Sequence, residues 1–406
     1  MPIEKNKKKL LIVAMSDSIH TARWLSQITD QGWDIHLFPS MDLGVVHPEL
    51  NNINVHHSVY GTQANLPAKI KLAGIPIFSS FLATGIRFIL RKFFPSYRAK
   101  QLARLIRNLN PDLIHSMETQ HAGYLMLEAL NELDMKLPAW IHSIWGSDLY
   151  LFAKLKGHQA KIREVLTCCK YLWCEGQRDI KLARDLGFKG TSLPALQATG
   201  GLDINKCLKL RSQELPSKRK IVILKGNQGW AGRALIGLQA LAKCTDFLKN
   251  YKLVIYSVSP NSEVEKAAKV FFSQTGIPIT IILKGMKYEE LLKIYGRARL
   301  SLALSISDGV PNSLLESMVM GAFPIQSNTS MAEEWIIDRE TGFLTPPEDL
   351  QIIQKAISTA MTNDVLIDSA AEKNLMTIKS KLDYNIVKKQ VIKIYLNILD
   401  SANLHV

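Results

Sequence analysis

Two carboxylates and two cations stand in this chain where they could handle a phosphorylated ligand. Asp308 and Glu316 lie eight residues apart, and Lys225 and Arg233 bracket the run Gly-Asn-Gln-Gly-Trp-Ala-Gly over 226–232. Residues 305–313, Ser-Ile-Ser-Asp-Gly-Val-Pro-Asn-Ser, form a turn-rich loop. It leads into a helical pattern in which Leu314, Leu315, Met318 and Val319 share a face. The amides of a helix that starts near Pro311 suit an anion such as a diphosphate. A carboxylate beside an anion site costs energy unless it has a separate task. For Glu316 that task is accepting hydrogen bonds from ribose hydroxyls. Three glycines and two cations between a strand and a helix make 225–233 a phosphate-cradling loop. The plainer alternatives are an ordinary strand–loop–helix with an exposed Asp, and a flexible glycine-rich hairpin turn.

These residues need strands to carry them. The apolar run 300–304 reads as a buried strand, Gly321 as the stop of the helix after it, and 323–325 as the next strand. Strand, loop, helix and strand in that order make one parallel right-handed unit, with the loop at the carboxyl end where open sheets bind ligands. Strands are also expected at 220–224, 251–258 and 279–283, with a helix over 234–243. The first half opens the same way. A strand over 9–14 precedes the loop 16–21, a helix over 21–31 stopped by Gly32, and a strand over 34–38. This opening is Rossmann-like but has no glycine-rich fingerprint. Further strands fall at 111–115, 139–144 and 170–174, and a helix over 178–186 ends at Gly187. The polar run 206–219, with Pro216, reads as a linker, and 383–399 as a closing amphipathic helix.

Composition bounds the answer. At 406 residues with 47 % hydrophobic content, two domains are expected. No apolar run reaches the length of a membrane span, and the basic start runs straight into a strand, so no signal peptide is expected. Five cysteines without ligand spacing suit a reducing compartment, with Cys168, Cys169 and Cys174 read as core thiols. A net charge of +14 implies an anionic partner. Residues 50–111 contain no Asp or Glu. Within 69–107, cations such as Arg87, Arg91 and Lys92 interleave with Phe78, Phe81, Phe88, Ile89 and Phe93. That is the composition of an interfacial membrane surface, or of a core helix with a solvated basic face. Aromatics clustered with aliphatics fit nucleic acid poorly, and no nucleic-acid partner is expected.

The carboxylates and their surroundings, Gly309, Pro311, Leu315, Met318, Gly321 and Pro324, resemble the signature of the retaining glycosyltransferases of family 4, which have the GT-B fold. The family pattern is an acidic residue, seven others, then Glu. Asp308 stands where the family usually has Glu, and Gly342 and Leu344 match the strand that follows. Trp145-Gly146-Ser147-Asp148 resembles a subgroup in which Trp replaces the usual His of His-Gly-Ser-Asp, and Ser-Ile-His-Thr over 18–21 likewise matches a subset. The resemblance implies two Rossmann-like domains with parallel sheets facing across an interdomain cleft. They comprise an acceptor domain over 1–205, the linker, a nucleotide-sugar domain over 220–382, and a helix over 383–406 crossing back.

By the same resemblance, Lys225 and Arg233 hold the donor diphosphate. Asp308 and the amides of Gly309, Val310, Pro311 and Asn312 position sugar and phosphate, and Glu316 holds ribose. Lys284-Gly285-Met286 runs under the base, with Tyr288 or Tyr295 flanking it. Asp148 is the catalytic candidate of the first half, and His20, Glu118, His121 and His142 line the acceptor side. No Asp-x-Asp sequence occurs, so no bound metal and no permanent cofactor are expected. The implied activity is retaining transfer of a hexosyl unit from a UDP- or GDP-linked sugar to a glycan or lipid-linked acceptor. That suits cell-surface polysaccharide or glycolipid synthesis in the cytoplasm or at the inner face of the plasma membrane. The rivals are a sugar-nucleotide 2-epimerase of the same fold and a non-catalytic peripheral membrane protein.

Overall fold

The computed structural model describes residues 7–62, 66, 69–135, 137–283 and 285–403. The chain divides into two compact units, residues 1–201 with 385–406, and residues 202–384.

The first unit is built on one sheet. Its strands are β1 (Lys9–Ala14), β2 (Asp34–Pro39), β3 (Ile53–Gly61), β4 (Ile70–Ile77), β5 (Leu113–Met117), β6 (Ala139–Ser143), β7 (Tyr171–Trp173) and β8 (Thr191–Ser192). They are parallel throughout, in the order β4-β3-β2-β1-β5-β6-β7-β8. β1 is central and covered on both faces, which is why Lys-Leu-Leu-Ile-Val-Ala reads as one apolar run. Leu10, Ile12 and Ala14 enter one core layer with Trp24, Leu25 and Tyr395. Leu11 and Val13 enter the other with Ala99, Leu102 and Ile106. The closing helix, Tyr384–Asn403, sends Val387, Val391, Tyr395 and Ile398 into the first of these layers.

Four expectations are corrected in this unit and at its edge. The first helix spans Ile19–Leu25 and is followed by turns, in which Gln27 N–H donates to the Trp24 carbonyl at 3.2 Å and Ile28 N–H to that of Leu25 at 2.9 Å, with Gln27 buried. The acid-free stretch contains two strands, β3 and β4, before its helices Ser80–Phe93 and Tyr97–Leu109. Cys168 is exposed, whereas Cys169 and Cys174 are core thiols. The run 206–219 is no linker. A helix over Ile204–Leu210 buries Ile204 and Cys207, and Arg219 is buried, donating to the carbonyls of Met320 at 3.0 Å and Glu214 at 3.2 Å. A guanidinium spanning several carbonyls satisfies the donors that burial would otherwise leave unpaired.

The second unit carries β9 (Ile221–Lys225), β10 (Lys252–Val258), β11 (Ile279–Leu283), β12 (Ala298–Ala303), β13 (Phe323–Ser327) and β14 (Phe343–Thr345). All are parallel, in the order β11-β10-β9-β12-β13-β14. Chain direction across the sheet reverses between β9 and β12. The loops leaving those two strands therefore border the crevice at which such sheets bind ligands. In the first unit the reversal lies between β1 and β5.

Candidate active site

At the second unit's reversal, the loops after β9 and β12 are tied to each other through the backbone. Arg233 N–H donates to the Leu304 carbonyl at 2.9 Å, and Ile306 N–H to that of Ala231 at 2.9 Å. Gly232 must be glycine, since a Cβ there would lie 2.2 Å from the Asn227 carbonyl oxygen. The glycine-rich run is thus a closed turn braced against its neighbour. Lys225, the last residue of β9, places its Nζ 3.9 Å from Asp308 Oδ2, and Asp308 Oδ1 accepts from the Gly309 amide at 2.9 Å. Arg233 folds over its own turn. It donates to the carbonyls of Gly229 and Gly232 at 3.1 and 2.9 Å and pairs with Glu348 at 2.6 Å. Lys225 and Arg233 thus flank one turn, the first turned toward Asp308 and the second held by a carboxylate that an anion could replace.

The helix Asn312–Met320 begins directly after Pro311, its N-cap residue, which makes no side-chain capping bond. Residues 313–320 are all buried, Glu316 among them. Burial first, and then the charge of Glu316, raise the Tyr256 hydroxyl far above its usual range. Tyr256 and Tyr295 share a hydrogen bond of 2.8 Å behind Glu316. Tyr295 is fully buried and cannot flank a base, which corrects that expectation; Tyr288 is half-buried. Gly285 follows the edge strand β11 at φ 104° in open space, a conformation that favours glycine. Lys284 lies outside the described residues.

In the first unit, His20 sits in the first turn of the helix after β1, its amide donating to Ser18 Oγ at 3.2 Å. Its ring lies 5.3 Å from that of Trp145. Glu118 follows β5 at φ 76°, ψ 144°, strained backbone for a residue with a side chain. Its carboxylate accepts from the amides of Gln120 at 2.6 Å and His121 at 3.0 Å, and meets His121 Nδ1 at 3.1 Å. That bond to Glu118 raises the pKa of His121 against the opposing effect of burial.

His142 and Asp148 stand behind this turn rather than on a surface. His142 is fully buried, between Ser116 Oγ at 2.7 Å and Thr119 Oγ1 at 3.0 Å, and burial drives its pKa down to about 3, so the ring is neutral. Asp148 is buried, accepting from the Trp145 amide at 2.9 Å and from the amide and hydroxyl of Thr119 at 3.2 and 3.0 Å. Burial, and then the charge of Glu118, push its carboxyl up to about 7. In this structure these two side chains hold Thr119 and Trp145 in place. The motif around Asp148 marked the loop and gave no sign that the carboxylate turns inward.

Residues 9–170 match the family described as Glycosyl transferase 4-like, and residues 208–376 match Glycosyl transferases group 1. The chain is a glycosyltransferase of the GT-B fold. Sucrose-phosphate synthase from Thermosynechococcus elongatus superimposes on this glycosyltransferase with a TM-score of 0.67 at 14 % identity, over 97 % of this chain and all of that one. HepE of Anabaena, solved with UDP-glucose, gives 0.65 at 12 % identity over 96 and 99 % of the two chains. A glycosyltransferase from Rickettsia africae gives 0.60 at 15 % identity over 97 and 99 %. At such identities the likeness is one of fold. No curated protein sequence matches the chain.

Proposed function

We propose that this glycosyltransferase moves a hexosyl unit, with retention, from a UDP- or GDP-linked sugar to a glycan or lipid-linked acceptor. The observation that carries this reading is the meeting of Lys225 and Asp308 at the sheet reversal, 3.9 Å apart, with the buried Glu316 eight residues beyond Asp308. Lys225 and Arg233 neutralise the departing diphosphate, Arg233 exchanging Glu348 for phosphate. Asp308 positions the sugar, the first amides of the helix after Pro311 face the phosphates, and Glu316 accepts from the ribose. Gly285 leaves room for the base beside it. Cations and amides already aimed at the leaving group stabilise its charge as the glycosidic bond breaks, without reorganising at that moment.

The departing phosphate oxygen takes the acceptor's proton, as in the resembling family, which fits a first unit whose histidines and carboxylates serve to shape the acceptor side. His20, Trp145 and the Glu118–His121 pair supply that side. The HepE structure, holding UDP-glucose in a chain of the same fold, supports a nucleotide-sugar donor. Among the described residues no helix is long and apolar enough to cross a membrane; we place the reaction in the cytoplasm. The test is titration calorimetry with UDP and GDP on the intact protein, paired with Glu316→Gln. Tight binding of one nucleotide, weakened in the variant, is the expected result. Binding of neither, or equal binding by a folded variant, overturns the assignment.

A further inference from the structure

The helix Ser80–Phe93 is fastened to the first unit by polar and backbone contacts and by Ala83 with the half-buried Ile86 and Leu90, and a second set of its apolar side chains is left outside. Its first turn lies so close to the end of β3 that a Cβ on Gly61 would come within 2.5 Å of Ser80 Cα. Ser80 Oγ donates to the Thr62 carbonyl at 3.3 Å, and Arg87 donates to the Val59 carbonyl at 2.7 Å. Ala83 is its buried residue. Phe81, Leu82, Phe88, Ile89 and Phe93 are between 52 and 86 % exposed, and Phe78, just before the helix, is fully exposed. At helical spacing, positions 81, 85, 88 and 92 form one row and 82, 89 and 93 the next, so these side chains make a single stripe. Ile75, on the edge strand β4, extends the apolar surface. A soluble surface rarely exposes so much contiguous apolar area without a partner.

The charges say which partner. Lys92 lies within the stripe and Arg91 beside it, both exposed, with Lys71 and Lys100 exposed on the neighbouring elements. No acidic residue occurs from 50 to 111 to offset them. Bulky apolar side chains ringed by cations match the boundary between acyl chains and anionic head groups. A pocket of about 430 Å³ opens alongside, lined by Phe88, Phe94, Arg91, Arg98 and His121 among others. His121 is the partner of Glu118 at the carboxyl end of β5.

We infer that this stripe seats the first unit on an anionic membrane. Phe78, Phe81, Phe88 and Phe93 enter the acyl boundary and Arg91 and Lys92 meet lipid phosphates. The acceptor side of the unit thereby opens beside the lipid surface. That last consequence rests on the transferase reading, whereas the membrane contact stands without it. The test is flotation of the intact protein with vesicles of phosphatidylcholine alone or mixed with phosphatidylglycerol, in the absence of any sugar nucleotide.

Retention on the mixed vesicles only, falling as salt is raised, is expected. Each cation near an anionic surface contributes about fivefold in affinity, so Arg91→Glu/Lys92→Glu lowers vesicle binding by roughly 30-fold or more. Phe81→Ser/Phe88→Ser lowers it as well. Both variants alter exposed positions and keep wild-type nucleotide affinity and melting temperature, which separates lost docking from lost folding. Indifference to lipid charge, or variants that float like the wild type, overturns the inference. So does a wild-type dimer, seen by sedimentation without vesicles, that Phe81→Ser/Phe88→Ser splits, because the stripe would then join two copies of the chain. A failed transfer assay with vesicle binding intact would count against the activity alone.

Discussion

Glu118 holds a backbone conformation that few residues with a side chain adopt, at an expense of about 1–3 kcal/mol. It persists because the carboxylate caps the turn it creates and binds His121. Glu118→Gln removes the carboxylate whose hydrogen bond, and then charge, raises His121. The histidine should then titrate at lower pH, read from its ring protons by NMR; an unmoved titration would mean that Glu118 does not set it. Asp148 gives a prediction of opposite origin. Its folded pKa, about 7, lies above the ordinary 3.8, so its contribution to stability is complete below about pH 4 and is lost as pH rises through about 7. Asp148→Asn should flatten this part of the first unit's pH–stability curve, measured by urea unfolding across that window; parallel curves would refute it. Glu316→Gln should weaken nucleoside diphosphate binding by roughly 1.5–3 kcal/mol, since a charge-assisted bond becomes a neutral one. At this scale the sequence revealed position better than orientation. Lys225 and Asp308 were legible as residues at the carboxyl ends of strands because each stands at or beyond the end of a strand that the apolar pattern marks. For Asp148 and His142 the inward turn was not legible: a loop motif carries no sign of it for Asp148, and His142 lies on β6, where residues 140–143 are all buried.

The same limit recurs for whole elements. Helices Ser80–Phe93 and Tyr97–Leu109 are both amphipathic and basic, yet the second buries Ala99, Leu102, Ala103 and Ile106 while the first buries only Ala83. Periodicity shows that a helix has an apolar face, and the covering partner is a tertiary fact. β3 and β4 were not legible because His56 and His57 in β3, and Gly74 and Pro76 in β4, interrupt the apolar alternation that marks a strand; β4 is the edge strand, where glycine and proline are tolerated. The closing helix was legible from its pattern, and its anchorage is specific. Tyr395 accepts from Trp24 Nε1 at 3.0 Å and reaches His115 Nδ1 at 2.5 Å, all three buried. Tyr395→Phe leaves these groups unpaired and should destabilise the first unit by about 1–3 kcal/mol. A melting transition identical to the wild type would show that water replaces the hydroxyl.

Over the whole molecule, the two parallel sheets were legible because buried strands between helices leave continuous apolar runs, each ending in a glycine- or serine-rich loop. The run 206–219 belongs to the second unit, and its composition did not show this, since a polar run that folds onto a neighbour looks like a linker. With the diphosphate held by Lys225, Arg233 and helix amides, Lys225→Ala and Arg233→Ala should each depress kcat, and added chelator should leave the wild-type rate unchanged. Inactivation by chelator that magnesium reverses would contradict this arrangement. The most direct measurement offers the intact protein a panel of UDP- and GDP-sugars with vesicles carrying glycan- or phosphate-headed lipids, and follows the products by mass spectrometry and NMR. One donor should be consumed only when an acceptor is present, with its hexosyl unit appearing on that acceptor in the donor's own anomeric configuration and with Glu316→Gln slowing the transfer. Conversion of the nucleotide sugar to an isomer without any acceptor, or transfer with inverted configuration, would contradict it.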